Sequence, residues 1–505
     1  MKLYQILSEI EILSTNITCF DFCFNKICSD TSKLSHGDIF VCKCGTNTDG
    51  HGFIKKAYEL GARCFIVERV TEELKSNQKL RYIHVKDTAL AEVKLLNAAS
   101  GYPSRNMRLV AITGTNGKTS VAYMLKHILD SAGICAGLIG TVKSYAGNKD
   151  ITLKKSVSSF NSMTTPAPDE LFSLLSDMQK RGCETVVLEA SSHALKQKRL
   201  DALRFTLGIF TNLSEDHLDY HKSLSDYINA KSHLFELSDC ALINVDDPVG
   251  ASIAESCPCK VITYGKNKAC NYSAIQPVLH DSGIEFRARL KSEAHISCPI
   301  PGEFTVYNAL CAASAASFLG VGDNIIAQAL KAMPQIPGRL ERISSQDNVN
   351  VFIDYAHTPD ALEKAITTLK SNTVGRMITV FGCGGDRERE KRPIMGRIAT
   401  YLSDLTIITS DNSRNESIER IFDDIVSGVR HNANYKVIPD RTDAINHALC
   451  IAKSGDTVLL AGKGHEDYLL CGNEKKHFSE RETVENFYKR ILKAKDVKSN
   501  EQNRA

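Results

Sequence analysis

The fold of this chain is decided by the stretch Leu109-Val110-Ala111-Ile112-Thr113-Gly114-Thr115-Asn116-Gly117-Lys118-Thr119-Ser120. Its first four residues are an apolar run typical of a buried strand, and apolar residues at helical spacing follow from Val121 to Leu129. Glycines let backbone N–H groups wrap phosphates, the lysine supplies charge, and a threonine hydroxyl can reach Mg²⁺. The stretch therefore predicts a mononucleotide-binding domain. Its loop is shorter than the common form, because Ile112 stands where that form has its first glycine.

Two strands further along the chain end in candidate metal ligands. Strand Thr185–Leu188 leads into Glu189, and strand Leu207–Phe210 leads into residues 211–221, which are rich in oxygen and nitrogen ligands. Carboxyl ends of parallel strands meet at one sheet edge, so these groups predict a two-metal phosphoryl-transfer site beside the loop. Taken singly, each such residue is more often a cap or a solvated group. The same reasoning reads Lys231 as a surface lysine on a helix over Asp226–Phe235.

The length of 505 residues predicts three domains. Residues 1–95 are expected to form a small α/β domain, and residues 96–334 a central P-loop mononucleotide-binding domain with a parallel sheet. Within the latter, clean alternation over Ile284–Leu290 predicts antiparallel sheet between Lys260 and Pro301. Apolar strands from Val351 to Ala461 predict a C-terminal Rossmann-like α/β domain, residues 335–492. The polar residues 493–505 predict a disordered tail.

Composition excludes several classes of function. With 43% hydrophobic residues, no apolar run of membrane-spanning length and no signal peptide, the chain is expected to be cytoplasmic without membrane insertion. A net charge of +3, from 62 basic and 59 acidic residues, gives no argument for a nucleic-acid partner. The 17 cysteines are expected to be reduced. We interpret the one cluster as small buried hydrophobes, with a zinc site as the alternative: Cys19, Cys23, Cys28, Cys42 and Cys44.

Seven motifs stand in order along the chain, and together they resemble the Mur ligases over almost its whole length: Thr113–Thr119, Met163–Pro166, Glu189–His193, Thr211–His221, Gly338–Arg339, Asp354–Pro359 and Gly462–Glu466. The resemblance is to the ligases that extend UDP-N-acetylmuramoyl-L-alanyl-D-glutamate by a third peptide residue. It implies amide formation through an acyl phosphate in peptidoglycan synthesis, and so a part in cell wall biogenesis, cell shape and cell division. The implied cofactors are ATP and Mg²⁺, the implied partners are small molecules, and a monomer is expected.

The resemblance assigns roles around the phosphate loop. ATP is expected at Gly114, Thr115, Asn116, Gly117, Lys118, Thr119, Ser120, Asn308, Arg339 and Asp354, with Asn308 near the base and the last two closing over ATP from the third domain. Mg²⁺ is expected at Thr119, Glu189, His217 and Lys231. In this family the matching lysine is carbamoylated, so Lys231 is expected as N6-carboxylysine. The implied catalytic residues are Lys118, Lys231 and His217.

The resemblance also assigns the two other substrates: it implies that residues 1–95 bind a UDP-linked substrate and that residues 335–492 bind an amino acid. The UDP-muramoyl dipeptide is expected at Thr31, Thr164, Thr165, Ser191, Gln197 and Arg199; beside Thr31, Ser32 stands where the family usually has arginine. Residues 411–414 resemble the Asp-Asn-Pro-Arg signature of ligases for meso-diaminopimelate, with Ser413 in place of proline. A guanidinium can clamp that amino acid's far carboxylate, which lysine lacks, and Glu466 could take an ammonium group. The implied contacts are Arg387, Asp411, Asn412, Ser413, Arg414, Gly462 and Glu466.

Three alternatives stay open at this stage. A Mur ligase that adds L-lysine would have no use for Arg414. Folylpolyglutamate synthase shares the short glycine loop and the modified lysine but lacks the first domain and the residue 411–414 signature. An inactive nucleotide-binding scaffold would be expected to have lost at least one of Lys118, Glu189, His217 and Lys231, and all four are present.

Overall fold

The computed structural model describes residues 2–45, 48–153, 163–216, 220–343, 348–472 and 474–502, with side chains as far as Leu492. These residues form three α/β units in chain order, as the sequence predicts. The boundaries after residues 95 and 334 are kept as proposed divisions, although one helix, Thr88–Ala99, crosses the first of them. None of the described helices combines the length and apolar character needed to cross a membrane.

The described part of the first domain is a small sheet with short helices. Its elements are β1 (Ser14–Thr15), β2 (Ile27–Cys28), β3 (Ile39–Val41), α1 (Ile54–Glu59), β4 (Cys64–Val67), α2 (Glu72–Ser76), β5 (Tyr82–His84) and α3 (Thr88–Ala99). The strands lie in the order β1-β5-β4-β3-β2, with β2 to β5 parallel and β1 antiparallel at the edge. Strands β3 and β4 are buried along their whole length, as expected for parallel strands covered on both faces.

The described part of the central domain is built on one large sheet. Its elements are β6 (Arg108–Thr113), α4 (Lys118–Ser131), β7 (Ala136–Ile139), β8 (Ser144–Ala146), β9 (Lys149–Asp150), α5 (Pro168–Lys180), β10 (Thr185–Glu189), α6 (Ser192–Lys196), β11 (Leu207–Phe210), α7 (Leu224–Glu236), β12 (Cys240–Asn244), α8 (Pro248–Ser256), β13 (Lys260–Gly265), β14 (Tyr272–His280), β15 (Gly283–Arg289), β16 (Glu293–Cys298), α9 (Glu303–Phe318) and α10 (Asp323–Lys331). The strand order is β16-β15-β14-β13-β12-β11-β6-β10-β7-β8-β9. Strand β6 lies between β10 and β11 and is parallel to both, so the loops after these three strands meet at one edge.

The predicted antiparallel insert is only partly confirmed. Strands β14, β15 and β16 pair antiparallel, but β13 pairs parallel with β12 and with β14. The insert therefore continues the central sheet rather than forming one of its own. The period-two alternation around Ile284 could show one exposed and one buried face, but not which neighbour the strands would join.

The described part of the C-terminal domain is a second, mostly parallel sheet. Its elements are β17 (Glu341–Ile343), β18 (Asn350–Asp354), α11 (Pro359–Lys370), β19 (Met377–Phe381), α12 (Lys391–Leu402), β20 (Leu405–Ile408), α13 (Ile418–Val426), β21 (Tyr435–Val437), α14 (Arg441–Ile451), β22 (Thr457–Ala461), β23 (Tyr468–Cys471), β24 (Glu474–His477) and α15 (Glu480–Gln502). The strand order is β17-β18-β22-β19-β20-β21, with β17 antiparallel, and β23 pairs with β24 in a hairpin. Strands β18, β19, β20 and β22 point their carboxyl ends toward the same edge.

A fully buried ion pair joins the last helix to that edge. Arg441 donates to Glu480, at the start of α15, over 2.7 Å. The same guanidinium donates to the carbonyl oxygens of Ser410 and Ala461, at 3.0 and 2.7 Å. One cation therefore holds the chain at the ends of β20 and β22.

The chain's last segment differs from its prediction. Helix α15 continues to Gln502, so residues 493–502 are helical where a disordered tail was predicted. The prediction rested on the lack of apolar residues to bury. It gave too little weight to the absence of glycine and proline from residues 493–502, six of which are the good helix formers lysine, alanine, glutamate and glutamine.

Candidate active site

A single cavity of about 1210 Å³ lies between the central and C-terminal domains. Its wall includes the phosphate loop from Thr115 to Ser120, the end of strand β10 at Glu189, and the loops that follow β18, β19, β20 and β22. The carboxyl edges of both parallel sheets therefore open into the same space, which is where α/β proteins place their ligands.

The phosphate loop requires glycine at positions 114 and 117, because neighbouring side chains lie too close to its backbone there for a Cβ atom. Gly114 has a φ of +141°, and a Cβ there would lie 2.0 Å from Thr211 Oγ1. Gly117 has a φ of +86°, and a Cβ there would lie 2.5 Å from Asn308 Oδ1. Helix α4 begins immediately afterwards at Lys118, so its free N–H groups point toward the loop. The geometry is that of an anion-binding turn.

Two lysine ammonium groups converge on one backbone carbonyl of this loop. Lys118 Nζ donates to the carbonyl oxygens of Gly114 and Thr115, both at 2.9 Å, and Lys231 Nζ donates to that of Gly114 at 2.8 Å. Burial lowers the pKa of Lys118. Burial, and then the charge of Lys118, hold the pKa of Lys231 well below its usual value.

The prediction that Lys231 is a surface lysine is wrong. Its side chain is only 1% exposed and lies 4.3 Å from the Tyr227 ring centroid on the same helix, α7. Helix α7 packs this side against the phosphate loop, an arrangement that helical periodicity alone could not reveal.

Oxygen ligands gather where strand β10 ends. The Thr119 hydroxyl donates to Glu189 Oε2 at 2.9 Å, and Thr141 donates to the same carboxylate through its backbone N–H and its hydroxyl, each at 2.9 Å. Glu189 is fully buried. A buried carboxylate beside hydroxyl oxygens is a donor set that suits a hard cation. His217, the other predicted ligand in this region, lies outside the described residues.

Thr141 was missed by the sequence analysis. It follows the end of strand β7, so the strand-end rule that selected Glu189 would also have found it.

The C-terminal domain reaches across the cavity to the phosphate loop. Arg339 Nη2 donates to Thr119 Oγ1 at 3.0 Å, and Asn116 Nδ2 donates to Asp360 Oδ2 at 2.8 Å. Asp354 accepts from the Leu340 N–H at 2.7 Å, and burial raises its pKa. The two residues expected to close over ATP, Arg339 and Asp354, therefore lie in the wall opposite the loop.

Most residues predicted for the muramoyl dipeptide surround the end of β10. Thr164 lies 3.2 Å from the Thr141 hydroxyl, and the Thr165 hydroxyl donates to the Glu189 carbonyl at 2.7 Å. Arg199 donates to Gln197 Oε1 at 2.6 Å and to the Thr165 carbonyl at 3.0 Å. The Ser191 backbone N–H donates to the Thr165 hydroxyl at 2.9 Å. These side chains form one connected group beside Glu189.

Thr31 is not part of that group. It begins a short 3₁₀ helix, Thr31–Lys33, on the first domain and is absent from the described wall of the cavity. The next residue but one, Lys33, pairs with Asp169 of the central domain at 2.9 Å. The first domain therefore meets the central domain near Thr31.

Residues predicted to bind the amino acid also line the cavity, and the part of the cavity that they form is called the amino-acid pocket below. Arg387 and Arg414 both line it, and burial together with the charge of Arg387 lowers the pKa of Arg414. Arg414 donates to the Gly385 carbonyl at 2.8 Å, and its φ of +51° is left-handed, a conformation that favours glycine. Ser413, which replaces the signature proline, lies 3.2 Å from the Cys471 sulfur.

The floor of this pocket is a buried charge network. Asn412 Nδ2 donates to Glu466 Oε2 at 3.0 Å, and Lys463 Nζ donates to Glu466 Oε2 at 2.7 Å. Burial alone would raise the pKa of Asp411, but Lys463 and Arg441 bring it below its usual value. A Cβ on Gly462, whose φ is +114°, would lie 2.8 Å from Asp411. Lys463 belongs to a motif that the sequence analysis quoted, yet it was given no role.

The cysteine cluster of the first domain is divided. Cys28 and Cys42 are buried, as predicted, but Cys19, Cys23 and Cys44 are exposed. Among the described residues, one group could supply three metal ligands: Cys44, Asp49 and His51. His51 Nε2 accepts from the Glu68 and Arg69 N–H groups, which leaves the proton on Nδ1, 2.7 Å from Asp49 Oδ1. That nitrogen has no lone pair to offer a metal ion. We therefore interpret Cys44, Asp49 and His51 as a hydrogen-bonded loop.

Fold and site together define a class of protein, a nucleotide-binding enzyme with a second charged substrate pocket in the same cavity. Family models match three parts of the chain: the Mur ligase family catalytic domain over residues 24–99, the Mur ligase middle domain over 112–316, and the Mur ligase glutamate ligase domain over 338–464. The chain belongs to the Mur ligase family.

Individual relatives agree with this assignment. A protein of Clostridium botulinum named UDP-N-acetylmuramoyl-L-alanyl-D-glutamate--2,6-diaminopimelate ligase is 41% identical over 469 residues, 92% of this chain and 95% of its own. A solved structure of an enzyme with the same name has a TM-score of 0.65 at 28% identity, covering 97% of this chain and 99% of its own. The MurF ligase of Thermotoga maritima, solved with ADP, has a TM-score of 0.62 at 17% identity over 93% of this chain and 98% of its own, and shows the shared fold.

Proposed function

We propose that this chain is the ATP-dependent ligase that adds meso-2,6-diaminopimelate to the D-glutamate side-chain carboxylate of UDP-N-acetylmuramoyl-L-alanyl-D-glutamate, in peptidoglycan precursor synthesis. One observation carries the proposal: a single cavity joins the phosphate loop to a pocket with two guanidinium groups, Arg387 and Arg414. Relatives that bear this activity in their names match the chain over nearly its whole length.

The reaction begins with activation of the carboxylate. An oxygen of the D-glutamate side chain attacks the γ-phosphorus of ATP, the bond to the β-phosphate oxygen breaks, and ADP leaves as an acyl phosphate forms. Lys118 and the N-terminal N–H groups of α4 stabilise the negative charge that spreads over the phosphate oxygens. Catalysis here is mainly positioning and charge stabilisation.

The amide forms in the second step. The amine nitrogen of diaminopimelate attacks the acyl carbon, a proton leaves the nitrogen, and inorganic phosphate departs. Arg339 and Asp360 reach the phosphate loop from the C-terminal domain, and these contacts support closure that excludes water from the acyl phosphate. Scattering should therefore show a more compact particle with ATP analogue and amino acid than without them.

The donor set at β10 supports Mg²⁺ binding by Thr119, Glu189 and a modified Lys231, with His217 as the further predicted ligand. Bound there, Mg²⁺ would neutralise phosphate charge. An ammonium group would repel such an ion, so Lys231 fits only after its amine takes up CO₂ and releases a proton to become N6-carboxylysine. The low pKa of Lys231 supports this change, because an unprotonated amine is the form that reacts with CO₂.

The amino-acid pocket supports diaminopimelate over L-lysine. Arg414 and Arg387 are the groups that we assign to the carboxylate at the far end of diaminopimelate, and Glu466 to the ammonium beside it. Lysine has no carboxylate there. Asp411, Asn412, Ser413 and Gly462 shape the pocket around these groups.

The dipeptide substrate is assigned to the group around Glu189 and to the first domain. Thr164, Ser191 and Arg199 line the cavity, where their donors could bind carboxylate and sugar oxygens. Thr31 is assigned to the UDP end. This use of the first domain, which matches the family over residues 24–99, separates the proposal from a folylpolyglutamate synthase. A monomeric state and a cytoplasmic location remain part of the proposal.

The test is a competition between two amino acids. Purified protein is incubated with ATP, Mg²⁺, the UDP-muramoyl dipeptide, and equal meso-diaminopimelate and L-lysine, and product masses are measured. We expect the diaminopimelate product to dominate. A dominant lysine product would keep the ligase and overturn its specificity, whereas ATP binding without any product would overturn the proposed function.

A further inference from the structure

Lys463 is a buried cation on the floor of the amino-acid pocket. Its side chain is fully buried, and its ammonium nitrogen lies 2.9 Å from Asn412 Oδ1, 2.7 Å from Glu466 Oε2 and 3.6 Å from Asp411 Oδ1. We propose that Lys463 is a positioning residue that makes the pocket select a far-end ammonium group, by presenting one oxygen of Glu466 to the substrate. This inference rests on the proposed function.

The two oxygens of Glu466 are not equivalent. Oε2 accepts two short hydrogen bonds, from Lys463 at 2.7 Å and from Asn412 Nδ2 at 3.0 Å. Oε1 has a longer contact, 3.4 Å from the Tyr355 hydroxyl, and Glu466 lines the cavity. A carboxylate with one oxygen held in this way presents the other in a fixed direction.

Lys463 also sets the orientation of Asn412. The Asn412 side-chain oxygen accepts from Lys463 at 2.9 Å and from the Leu470 N–H at 2.9 Å, so the amide nitrogen must point to Glu466. An amide turned the other way would place its N–H₂ against two donors. The lysine therefore orients Glu466 directly and again through Asn412.

The net charge on the floor of the pocket is complementary to one ammonium group of a substrate. Asp411 and Glu466 are two carboxylates around one ammonium group, Lys463, which leaves one net negative charge. The Tyr468 ring centroid lies 5.0 Å from the Lys463 nitrogen and so forms part of the cation's surroundings. Arg387 and Arg414 lie nearby and suit the neighbouring carboxylate of the same substrate. The pocket is thus complementary to an amino-acid group that carries both charges.

The experiment compares Lys463→Met with the unchanged protein on three amino acids, measuring kcat and KM for each. Besides diaminopimelate these are 2-aminopimelate, which keeps the far carboxylate but lacks the far ammonium, and L-lysine, which keeps the ammonium but lacks the carboxylate. We expect the preference for diaminopimelate over 2-aminopimelate to fall roughly tenfold or more in the variant, about the effect of one charged hydrogen bond. Its preference over lysine should not change, because both of these substrates use the ammonium contact.

A merely structural role would give a different pattern. The KM values for ATP and for the dipeptide would rise, and the preference for diaminopimelate over 2-aminopimelate would stay constant; that result overturns the proposal. Should Lys463→Met fail to fold, Lys463→Gln carries the same comparison with a side chain that can still donate to Asn412.

A double-mutant cycle gives an independent readout. Once Glu466→Gln has removed the carboxylate, adding Lys463→Met should not change the preference further, and independent additive losses would contradict the inference. Failure of the proposed function is recognised separately, since the unchanged protein would then form no product from diaminopimelate at all.

Discussion

The buried lysines at the two ends of the cavity have different partners. At the phosphate end, Lys118 and Lys231 donate to the same backbone carbonyl, and burial lowers the pKa of each. At the amino-acid end, Lys463 pairs with Glu466 at 2.7 Å. The first end presents two buried amines to a polyanion or to a chemical modification, whereas the second pairs its lysine with two carboxylates and keeps one net negative charge, which suits an ammonium group. Substitutions at the two ends should therefore fail in different ways.

The largest effect is expected from removing charge at the phosphate end. Lys118→Met should lower kcat by roughly 10³-fold, because charge on the transferring phosphoryl group then lacks its cation. The variant should stay folded and its amino-acid preference should not change, as measured by product masses in the competition assay.

The matched control for this prediction is Lys126→Met, on the same helix. Lys126 is also buried and pairs with Asp130 at 2.5 Å. It lies eight residues along the helix from Lys118, roughly 12 Å from the loop, so its loss should leave kcat within about twofold. Similar losses from both substitutions would contradict a specific role for Lys118.

The next effect tests the modification of Lys231. Intact-mass and peptide-mass measurements should find the mass of one CO₂ on this residue in protein kept in bicarbonate buffer. Lys231→Ala should lower kcat by about 10²-fold or more, and a small carboxylate such as formate should restore part of it. Lys231→Arg, which cannot be carbamoylated in the same way, should not be restored. Full activity of Lys231→Ala without added carboxylate would contradict the assignment.

A smaller effect is expected at the amino-acid end. Arg414→Met should reduce the preference for diaminopimelate over lysine by roughly 30-fold, since a charged contact to the far carboxylate is lost. The effect should fall on the KM for diaminopimelate and not on that for ATP. Arg389→Met is the matched control, because Arg389 pairs with Asp424 on the exposed side of the same region, at 2.8 Å. An unchanged preference in Arg414→Met would exclude Arg414 from specificity.

The smallest effect concerns the support of the amino-acid pocket. Hydrogen bonds from Arg392 lower the pKa of Glu416 from 4.5 to about 2. The stabilisation is therefore present above pH 4.5 and is lost as the pH falls toward 2. Glu416→Gln should be less stable than the unchanged protein at pH 7, and this difference should shrink in acid. Because the chain has no tryptophan, circular dichroism is the suitable probe. An exposed control, Glu485→Gln, should show no such change.

The sequence was most informative where the site is local. The strand, glycine loop and helix around Gly114 are consecutive, so their geometry followed from residue order alone. Glu189 was found because it ends a strand next to the loop. Lys231 was misread, since its burial depends on how α7 packs against that loop. The pocket around Lys463 combines the ends of β19, β20 and β22, which are distant in sequence, and local patterns carry no information about that convergence.

The ion pair between Arg441 and Glu480 has a practical consequence for shortening or extending the protein. Removing helix α15 would leave the buried guanidinium of Arg441 without its carboxylate partner. An unpaired buried charge costs about 3–5 kcal/mol of stability. That guanidinium also holds the residues just before Asp411 and Gly462. A truncation upstream of Glu480 should therefore damage amino-acid recognition from a distance, whereas a fusion partner attached beyond Leu492 should leave it intact.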